Sequence, residues 1–466
     1  MENKRLHIAV LVWTNFCRFL LALVFTFSGF VKANDPLGTV YKITDYLEAW
    51  GIVDLVPNAL VYLASMLMGM VEFTLGIYLL FGIRSCIASS LVLLLMSVMT
   101  PLTLWLAIEN PISDCGCFGD AIVLTNWETF GKNIVLLLAA ISVFKWRKQI
   151  FQLVTSKVDW LVALYSTVFI VFYTFFCISK LPVFDFRPYH VGADIRKGME
   201  IPKGEKPTTY ETTFIYAKNG VEKEFTIDNF PASDSTWVFV DSRTRVKEKG
   251  YEPPIHDFSI VSQEDGTDLT DVILDDENYT FLLVSPRLST ADDSNIDLIN
   301  EVYDYSLEHG YRFLCVTASS DEDIAMWQEY TGAEYPFALM DDITLKTMIR
   351  SNPGLMLLKK GIVINKWSDG DLPDEYQLNA SLENLPIGQL NRKTVIHKIV
   401  EVVAWFVAPL LLLTLSDLAW LNYRNRKMKQ KELAALLLDE DVVLLFVNKP
   451  KVTYYRRKTK NRSKKS

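Results

Sequence analysis

The stretch LVLLLMSVMTPLTLWLAI at residues 91–108 contains no charged residue. About 20 apolar residues are enough for a helix to cross the hydrocarbon core of a bilayer, whereas a helix on a soluble core shows a polar stripe. Residues 91–108 have no charged stripe, so we interpret them as part of a membrane-spanning helix. Comparable apolar runs occur at 8–31, 59–82, 87–108, 127–144, 160–180 and 398–421.

The composition limits the classes of function. Of the 466 residues, 50% are hydrophobic and 22% are charged, and the formal net charge is −8. Nucleic-acid-binding domains usually carry a basic surface, so we expect membrane lipids and proteins, and no nucleic acid, as partners. The six cysteines are too few for a disulfide-rich scaffold.

Lysine and arginine residues flank the apolar runs in a pattern that predicts orientation. They lie at Lys4 and Arg5, at Arg84, within 145–157 and within 423–431. If the spans alternate, all of these groups lie on one side, and positively charged short loops remain in the cytoplasm. We therefore expect both termini to be cytoplasmic and residues 181–396 to lie outside.

The charge of the chain is unevenly distributed. Residues 181–396 carry a net charge of −18, whereas residues 424–466 carry +10, which suits a tail beside anionic lipid. The sequence therefore predicts five parts: a five-helix membrane domain (1–180), an outward connector with a β-hairpin (181–250), an outward α/β domain (251–396), a sixth membrane helix (397–422) and a basic tail (423–466).

The most specific short motif is SDCGCFGD at residues 113–120, in an outward loop between the third and fourth runs. Cys115 and Cys117 are separated by one residue, so a bond between them closes a small ring that is easily reduced. Two alternatives stay open. Each cysteine forms an inert bridge elsewhere, or the pair contributes to a metal site, although two sulfurs without a nearby histidine do not complete a zinc site.

The remaining cysteines differ in position. Cys177 lies near the outer end of the fifth run, so it is a candidate resolving thiol for the loop, with simple packing as the alternative. Cys17 and Cys86 lie toward the cytoplasmic halves of their runs and cannot reach the loop.

Two ionisable residues lie inside predicted spans, where a charge is costly without a partner. Arg18 and Glu72 are each about ten residues from the cytoplasmic ends of their runs. We therefore predict an Arg18–Glu72 ion pair between the first two helices. The alternative is a functional site for a proton or for a quinone head.

Three segments carry a family resemblance. They are CRFLLALVFTFSGFVKANDPLGTVYKITDYLEAWG (17–51), VEFTLGIYLLFGI (71–83) and DCGCFGD (114–120). Over residues 10–150 the chain resembles the DoxX/MauE superfamily of bacterial inner-membrane proteins. The resemblance implies extracytoplasmic disulfide or thiol maturation, with Cys115 and Cys117 as the redox pair. It also implies a periplasmic location for 181–396 and a quinone as electron acceptor, although the residues themselves show no cofactor motif.

The outward region after Tyr251 alternates strand and helix patterns. Its βαβαββ order resembles the thioredoxin fold, and that resemblance makes Pro353 the cis-proline candidate. Residues 285–295, where a thioredoxin carries its redox cysteines, contain none. Cys315 lies in an apolar strand, so we expect it to be buried and inert.

These observations favour a multi-pass membrane bundle joined to an extracytoplasmic thioredoxin-like α/β domain. The leading hypothesis is a thiol-disulfide oxidoreductase that uses Cys115 and Cys117 on envelope proteins, while the α/β domain binds the clients. The alternative is a non-enzymatic membrane scaffold of the cell envelope. A transporter would need more polar residues in its helices than Arg18, Glu72 and Lys132 supply.

Overall fold

The computed structural model describes residues 2–112, 114–218, 221–226, 237–248, 250–390, 395–437, 442–445 and 453–456. Within them, six helices are long and apolar enough to cross a membrane. These are α1 (Glu2–Asn34), α3 (Asn58–Phe81), α4 (Ser85–Glu109), α5 (Asn126–Lys145), α6 (Asp159–Ser179) and α12 (Val395–Leu437). Each matches one of the predicted apolar runs, with runs 59–82 and 160–180 extending one residue past their helices, so the multi-pass helical bundle is confirmed.

Helices α1 and α3 approach each other at backbone distance. A Cβ atom added to Gly29 would lie 2.2 Å from the amide nitrogen of Phe73, and one added to Gly76 would lie 2.5 Å from that of Thr26. Only glycine permits such an approach, because a larger residue would push the helices apart. The close packing brings the polar side chains of the two helices within hydrogen-bonding distance.

The loop after α1 contains a helix that the sequence analysis did not predict, α2 (Pro36–Ala49). Asp35 caps it by accepting a hydrogen bond from the Gly38 amide at 2.8 Å, and Pro36 occupies its first position. The hydroxyl of Ser65 in α3 donates to the carbonyl of Pro36 at 2.6 Å. Helix α2 therefore caps the outer end of the bundle.

The sixth span, α12, is hydrogen-bonded to the rest of the bundle at two positions along its length. Asp417 accepts hydrogen bonds from the Thr155 amide and hydroxyl, both at 2.8 Å, and Tyr165 donates to the carbonyl of Trp405 at 2.6 Å. The helix runs on to Leu437 without a break, so the predicted tail begins as a continuation of the span. Beyond it, β10 (Val442–Leu445) pairs with β11 (Thr453–Arg456).

The outward connector contains a three-stranded antiparallel sheet of order β2-β1-β3. Its strands are β1 (Thr209–Lys218), β2 (Val221–Thr226) and β3 (Val238–Glu248). The first two form the predicted hairpin, although its turn at 219–220 lies outside the described residues. The third strand was not predicted.

The α/β domain has one mixed sheet of order β4-β7-β6-β5-β8-β9. Its strands are β4 (Val261–Ser262), β5 (Tyr279–Ser285), β6 (Arg312–Thr317), β7 (Phe337–Leu339), β8 (Gly354–Lys359) and β9 (Ile362–Ser368). Its helices are α7 (Ile195–Met199), α8 (Thr270–Leu274), α9 (Ile296–His309), α10 (Asp321–Thr331) and α11 (Asp342–Met348).

Strands β5, β6 and β7 are parallel, and β8 and β9 complete the sheet as an antiparallel hairpin. This order confirms the predicted thioredoxin-like α/β fold. The first strand after Tyr251 is the short β4, which pairs antiparallel with β7.

Both faces of the sheet are covered. Phe281 and Leu283 of β5 pack into one core with α9, and Leu282 and Val284 pack into a second core with α11 on the other face. The sequence of a strand that is buried on both faces is a nearly continuous apolar run, as it is in β5. Cys315 in β6 is fully buried, as predicted, and burial raises the pKa of its thiol.

A segment after α6 joins the bundle to the α/β domain. The side chain of Asn34, at the end of α1, bonds to the amide and carbonyl of Phe184 at 3.0 and 2.7 Å. The next residue, Asp185, accepts from Arg187 at 2.8 Å and from Lys366 of β9 at 2.9 Å. Burial opposes the charge of Asp185, but these two cations outweigh it and lower its pKa to about 2.

We expect Asp185→Asn to destabilise the protein by about 3 kcal/mol, because the buried Lys366 ammonium loses its carboxylate. The measurement is urea unfolding of the full-length protein in detergent, followed by tryptophan fluorescence. The control is Asp371→Asn, whose pair with Lys180 is half-exposed, and it should cost less than about 1 kcal/mol.

The same pair predicts a pH dependence. Because the pKa of Asp185 is lower in the folded protein, its stabilisation is complete above the unfolded value of 3.8 and is lost as the pH falls toward about 2. Asp185→Asn should lack this part of the acid transition. An unchanged acid transition would show that the pair does not stabilise the fold.

Candidate functional site

The SDCGCFGD loop lies at the outer end of the bundle between α4 and α5, and its cysteines are bonded to each other. The Cys115–Cys117 disulfide joins residues whose Cα atoms are 5.5 Å apart. Gly116 between them has a φ of +65°, and a Cβ at that position would lie 2.9 Å from the Lys42 side chain. Glycine is therefore required by both the backbone conformation and the neighbouring lysine.

Side chains from α2 hold the outer part of the loop. Lys42 forms an ion pair with Asp114 at 2.9 Å, and Asp114 accepts a hydrogen bond from the Gly116 amide at 2.8 Å. The hydroxyl of Tyr46 donates to the carbonyl of Cys115 at 3.2 Å. The unpredicted helix α2 thus supplies one wall of the disulfide loop.

The inner part of the loop rests on polar side chains of the membrane helices. The carbonyl of Cys117 accepts hydrogen bonds from the Ser28 hydroxyl at 2.7 Å and from the Lys32 ammonium at 3.0 Å. Lys32 also pairs with Glu72 of α3 at 2.7 Å, and the Ser28 hydroxyl oxygen lies 2.7 Å from the same Glu72 carboxylate. We call Ser28, Lys32 and Glu72 the polar cluster.

The predicted Arg18–Glu72 ion pair is wrong, because Glu72 pairs with Lys32. Arg18 donates to the carbonyls of Phe151 at 2.5 Å and Leu80 at 3.3 Å, and it packs over the Phe151 ring.

The error arises from helix length. The prediction counted from residue 8, but α1 begins at Glu2, so Arg18 lies level with the C-terminal end of α3. At 1.5 Å per residue, Arg18 is about 15 Å along α1 from Ser28.

A buried arginine connects the α/β domain to the disulfide loop. Arg350 follows α11, and its guanidinium contacts Asp35 at 2.9 Å and Asp120, the last residue of the loop motif, at 3.2 Å. Its Nη1 also donates to the carbonyl of Lys346. Burial raises the pKa of Asp120, and Arg350 only partly offsets that rise. Arg350 therefore holds the loop against the α/β domain.

The segment after Arg350 contains the expected cis-proline, since the Asn352–Pro353 peptide bond is cis. The backbone carbonyl of Asn352 accepts a hydrogen bond from the Asp292 amide at 2.9 Å. The Asn352 side chain accepts a hydrogen bond from the Ser285 hydroxyl at 2.7 Å and donates one to the Arg287 carbonyl at 2.9 Å. Residues 285–295 thus form a polar network where a thioredoxin has cysteines.

Comparison with protein families identifies the membrane part. Residues 8–145 match the family described as methylamine utilisation protein MauE. Residues 8–145 form a MauE-family membrane domain. The match spans α1 to α5 and includes both loop cysteines, and we call this region the MauE domain.

Other comparisons concern the outward region. Residues 210–249 match a domain of unknown function, DUF8463, which corresponds to the three-stranded sheet. No curated protein matches the chain. The solution structure of a candidate protein disulfide isomerase from Bacteroides thetaiotaomicron is similar at 16% identity and a TM-score of 0.22, covering 26% of this chain and 77% of that one. The thioredoxin-like description of the α/β domain rests on its strand order.

A cavity of about 290 Å³ lies inside the MauE domain, beneath the disulfide loop. Its polar lining consists of the polar cluster, Lys132 and Asn133 of α5, and the loop residue Cys117. The other lining residues are apolar: Val24, Phe25, Ala64, Leu67, Met68, Val71, Leu95, Met96, Met99, Phe118 and Leu136. The cavity therefore has one polar end, which adjoins the disulfide.

The structure places Cys177 away from the loop cysteines. Cys177 is buried with Tyr173 and Ile77 in the core between α3 and α6, whereas Cys115 packs against Leu106 and Ile112. This packing favours the structural alternative for Cys177, and its role as a resolving thiol stays a prediction. The described residues contain no group of three metal-ligating side chains.

Sequence reasoning missed Ser28, Lys32, Asp120 and Arg350. Ser28 and Lys32 are four residues apart and share one face of α1, which is the signal that could have been used. Arg350 gave no such signal, because its partners are far away in sequence.

We expect the losses of unfolding free energy caused by Lys32→Met and by Glu72→Gln to be non-additive, since each single change leaves a buried charge without its partner. The double variant should lose at least about 1 kcal/mol less than the sum of the single losses. The measurement is unfolding of the purified protein in mixed detergent by SDS titration.

The control cycle uses Arg18→Met with Glu72→Gln. Those residues are far apart, so their effects should add within about 0.5 kcal/mol. Additive effects of the Lys32 and Glu72 changes would contradict the observed pair.

Proposed function

We propose that this protein carries out thiol–disulfide exchange with protein clients on the periplasmic side of a bacterial inner membrane. The observation that carries the proposal is the Cys115–Cys117 disulfide, which lies where the MauE domain meets the cis-proline side of a thioredoxin-like domain. Disulfides between closely spaced cysteines are easily reduced, as exchange requires.

The chemistry needs only the two loop cysteines and a client with two thiols. A client thiolate attacks one sulfur of the loop, the Cys115–Cys117 bond breaks, and the other cysteine leaves as a thiolate. The second client thiolate then attacks the mixed disulfide, which releases an oxidised client and a loop dithiol. Two electrons pass from the client to the loop, and the reverse sequence would reduce a client.

The surroundings of the loop support this role. The peptide groups of both cysteines are held by Tyr46, Ser28 and Lys32, so the backbone stays in place while the sulfur–sulfur bond opens and closes. Such preorganisation by a rigid outer shell is what a reactive pair requires.

The α/β domain supports the loop without cysteines of its own at the thioredoxin position. Arg350 links it to Asp120, and the Asn352 carbonyl accepts a hydrogen bond from the Asp292 amide. We propose that the domain braces the loop and presents a surface for clients beside it. Its net negative charge would favour basic clients.

The orientation belongs to the same proposal. The loop motif and the α/β domain are in contact through Arg350, so they share one side of the membrane. The positively charged flanks at Arg84 and 145–157 lie at the other end of the helices and favour a cytoplasmic position there. Both termini are then cytoplasmic.

We expect Cys115→Ser or Cys117→Ser to accumulate mixed disulfides through the reverse sequence: the remaining loop thiolate attacks a client disulfide, and no second loop thiol is present to resolve the product. The measurement is a non-reducing gel of membranes from cells that express the tagged full-length protein, followed by identification of the trapped proteins. The double variant should trap none, and Cys86→Ser should retain the wild-type pattern. If neither single variant traps a client, the redox role is wrong and the scaffold alternative is favoured.

We expect Arg350→Met to free the loop from the α/β domain, because Asp35 and Asp120 lose their shared cation. After mild reduction, the loop thiols should react with a maleimide several-fold faster than in the wild type. Arg287→Met is the matched control, since Arg287 is exposed beside the same cis-proline segment. Equal rates in Arg350→Met and the wild type would contradict the bracing role.

A further inference from the structure

We propose that a groove between α6 and α12 binds one phospholipid whose head carries both a phosphate and a primary ammonium, the chemistry of phosphatidylethanolamine. The groove is lined by α6, by α12 and by Val183 of the segment after α6, so it lies apart from the disulfide loop. A lipid bound there is a ligand that the proposed exchange function does not require.

The groove, of about 610 Å³, follows one side of the contact between the two helices. At its outer end the Lys398 ammonium donates a hydrogen bond to the carbonyl of Val183 at 3.1 Å. At its inner end the Tyr165 hydroxyl donates to the carbonyl of Trp405 at 2.6 Å. These hydrogen bonds hold α6 and α12 together at both ends of the groove.

The length of the groove matches one leaflet of a bilayer. On α6 its lining runs from Phe176, near the outer end of the helix, to Tyr165, which is about 16 Å further along the axis. The hydrocarbon core is about 30 Å thick, so a single leaflet is about 15 Å. A membrane helix of another protein would need a groove along the whole span. The groove therefore suits an acyl chain from the leaflet on the side of the α/β domain.

The walls of the groove are apolar rings that remain exposed. Phe172 of α6 and Trp405 of α12 line it on opposite sides, and 74% and 72% of their surfaces are exposed. A chain between two such walls makes more dispersion contacts than a chain on a flat helix surface. An acyl chain in the groove is therefore held more firmly than the surrounding lipid.

Two opposite charges lie at the outer end of the groove and indicate the head of the lipid. Lys398 and Glu401 are three residues apart on α12, so they share one face of the helix, and both line the groove. The Lys398 ammonium is bonded to Val183. Within the part of the chain that the structure describes, no ion pair joins the Glu401 carboxylate to Lys398 or to another cation.

The depth of Glu401 makes a cationic partner favourable. Glu401 lies six residues inside the outer end of α12, about 9 Å along the axis, where an uncompensated carboxylate is costly. A primary ammonium brings a positive charge and three hydrogen-bond donors to Glu401, while the phosphate beside it accepts from Lys398. A choline head has no N–H group to donate. A glycerol head brings no cation and leaves its phosphate charge beside Glu401.

The test is native mass spectrometry of the full-length protein in detergent. Phosphatidylethanolamine, phosphatidylcholine and phosphatidylglycerol with identical acyl chains are added in equal amounts. We expect one phosphatidylethanolamine to be retained with about tenfold higher affinity than either other lipid, the usual effect of one additional hydrogen bond to a charged group. A diazirine-bearing phosphatidylethanolamine should cross-link to peptides of α6 and α12.

The two charged residues should have separable effects. Glu401→Met should abolish the preference for phosphatidylethanolamine, because the ammonium loses its acceptor. Lys398→Met should weaken the binding of all three lipids alike, since each of them has a phosphate. The matched control is Glu432→Met, since Glu432 is exposed on the same helix outside the groove, and it should retain the wild-type preference. Val168→Trp fills the groove from an exposed position and should abolish retention of every lipid, which keeps the test valid if a charge variant folds poorly.

Four results would overturn the inference. Equal retention of the three lipids by the wild type would show surrounding lipid only, or a direct Lys398–Glu401 pair that needs no head group. The others are an unchanged preference in Glu401→Met, cross-linking outside α6 and α12, and a lipid-free dimer that Val168→Trp disrupts, which would place a second copy of this chain in the groove. The Cys115→Ser/Cys117→Ser double variant should retain the lipid, so failure of client trapping and failure of lipid binding are distinguishable.

Discussion

The buried ammonium of Lys32 is the constraint on which the site depends. A cation inside the helical bundle must be compensated, and Lys32 is compensated by Glu72 on the neighbouring helix and by the carbonyl of Cys117. One side chain therefore ties α1 to α3 and both to the disulfide loop. The glycine contacts between α1 and α3 make this possible, since wider spacing would leave Lys32 and Glu72 too far apart.

The α/β domain supplies a second buried cation with carboxylate partners. Arg350 is buried between Asp35 and Asp120, so the loop is held from the membrane side by Lys32 and from the outer side by Arg350. Under the proposed exchange function, this contact is how a thioredoxin-like domain without cysteines at residues 285–295 takes part in thiol chemistry. Its cis-proline segment lies next to a disulfide that belongs to another part of the chain.

Much of the fold could be predicted because it depends on local pattern. Periodicity alone predicts the six apolar runs, the hairpin formed by β1 and β2, and the alternating strands after Tyr251. The β3 strand and helix α2 could not be predicted in this way, since both mix polar and apolar residues and are stabilised by strand pairing or by a helix cap. Within the site, Cys115 and Cys117 were recognisable from their spacing alone.

The amino-acid sequence by itself determined the membrane bundle, the α/β order, the cis-proline candidate and the cysteine pair, because each depends on residues close together in the chain. Only the tertiary structure decided which charges pair. Arg18 and Lys32 were both available to Glu72, and helix length and register selected Lys32. The contact of Arg350 with Asp120 spans 230 residues, and a cavity lined by four helices has no linear signature. Such contacts depend on how the elements pack, which periodicity does not encode.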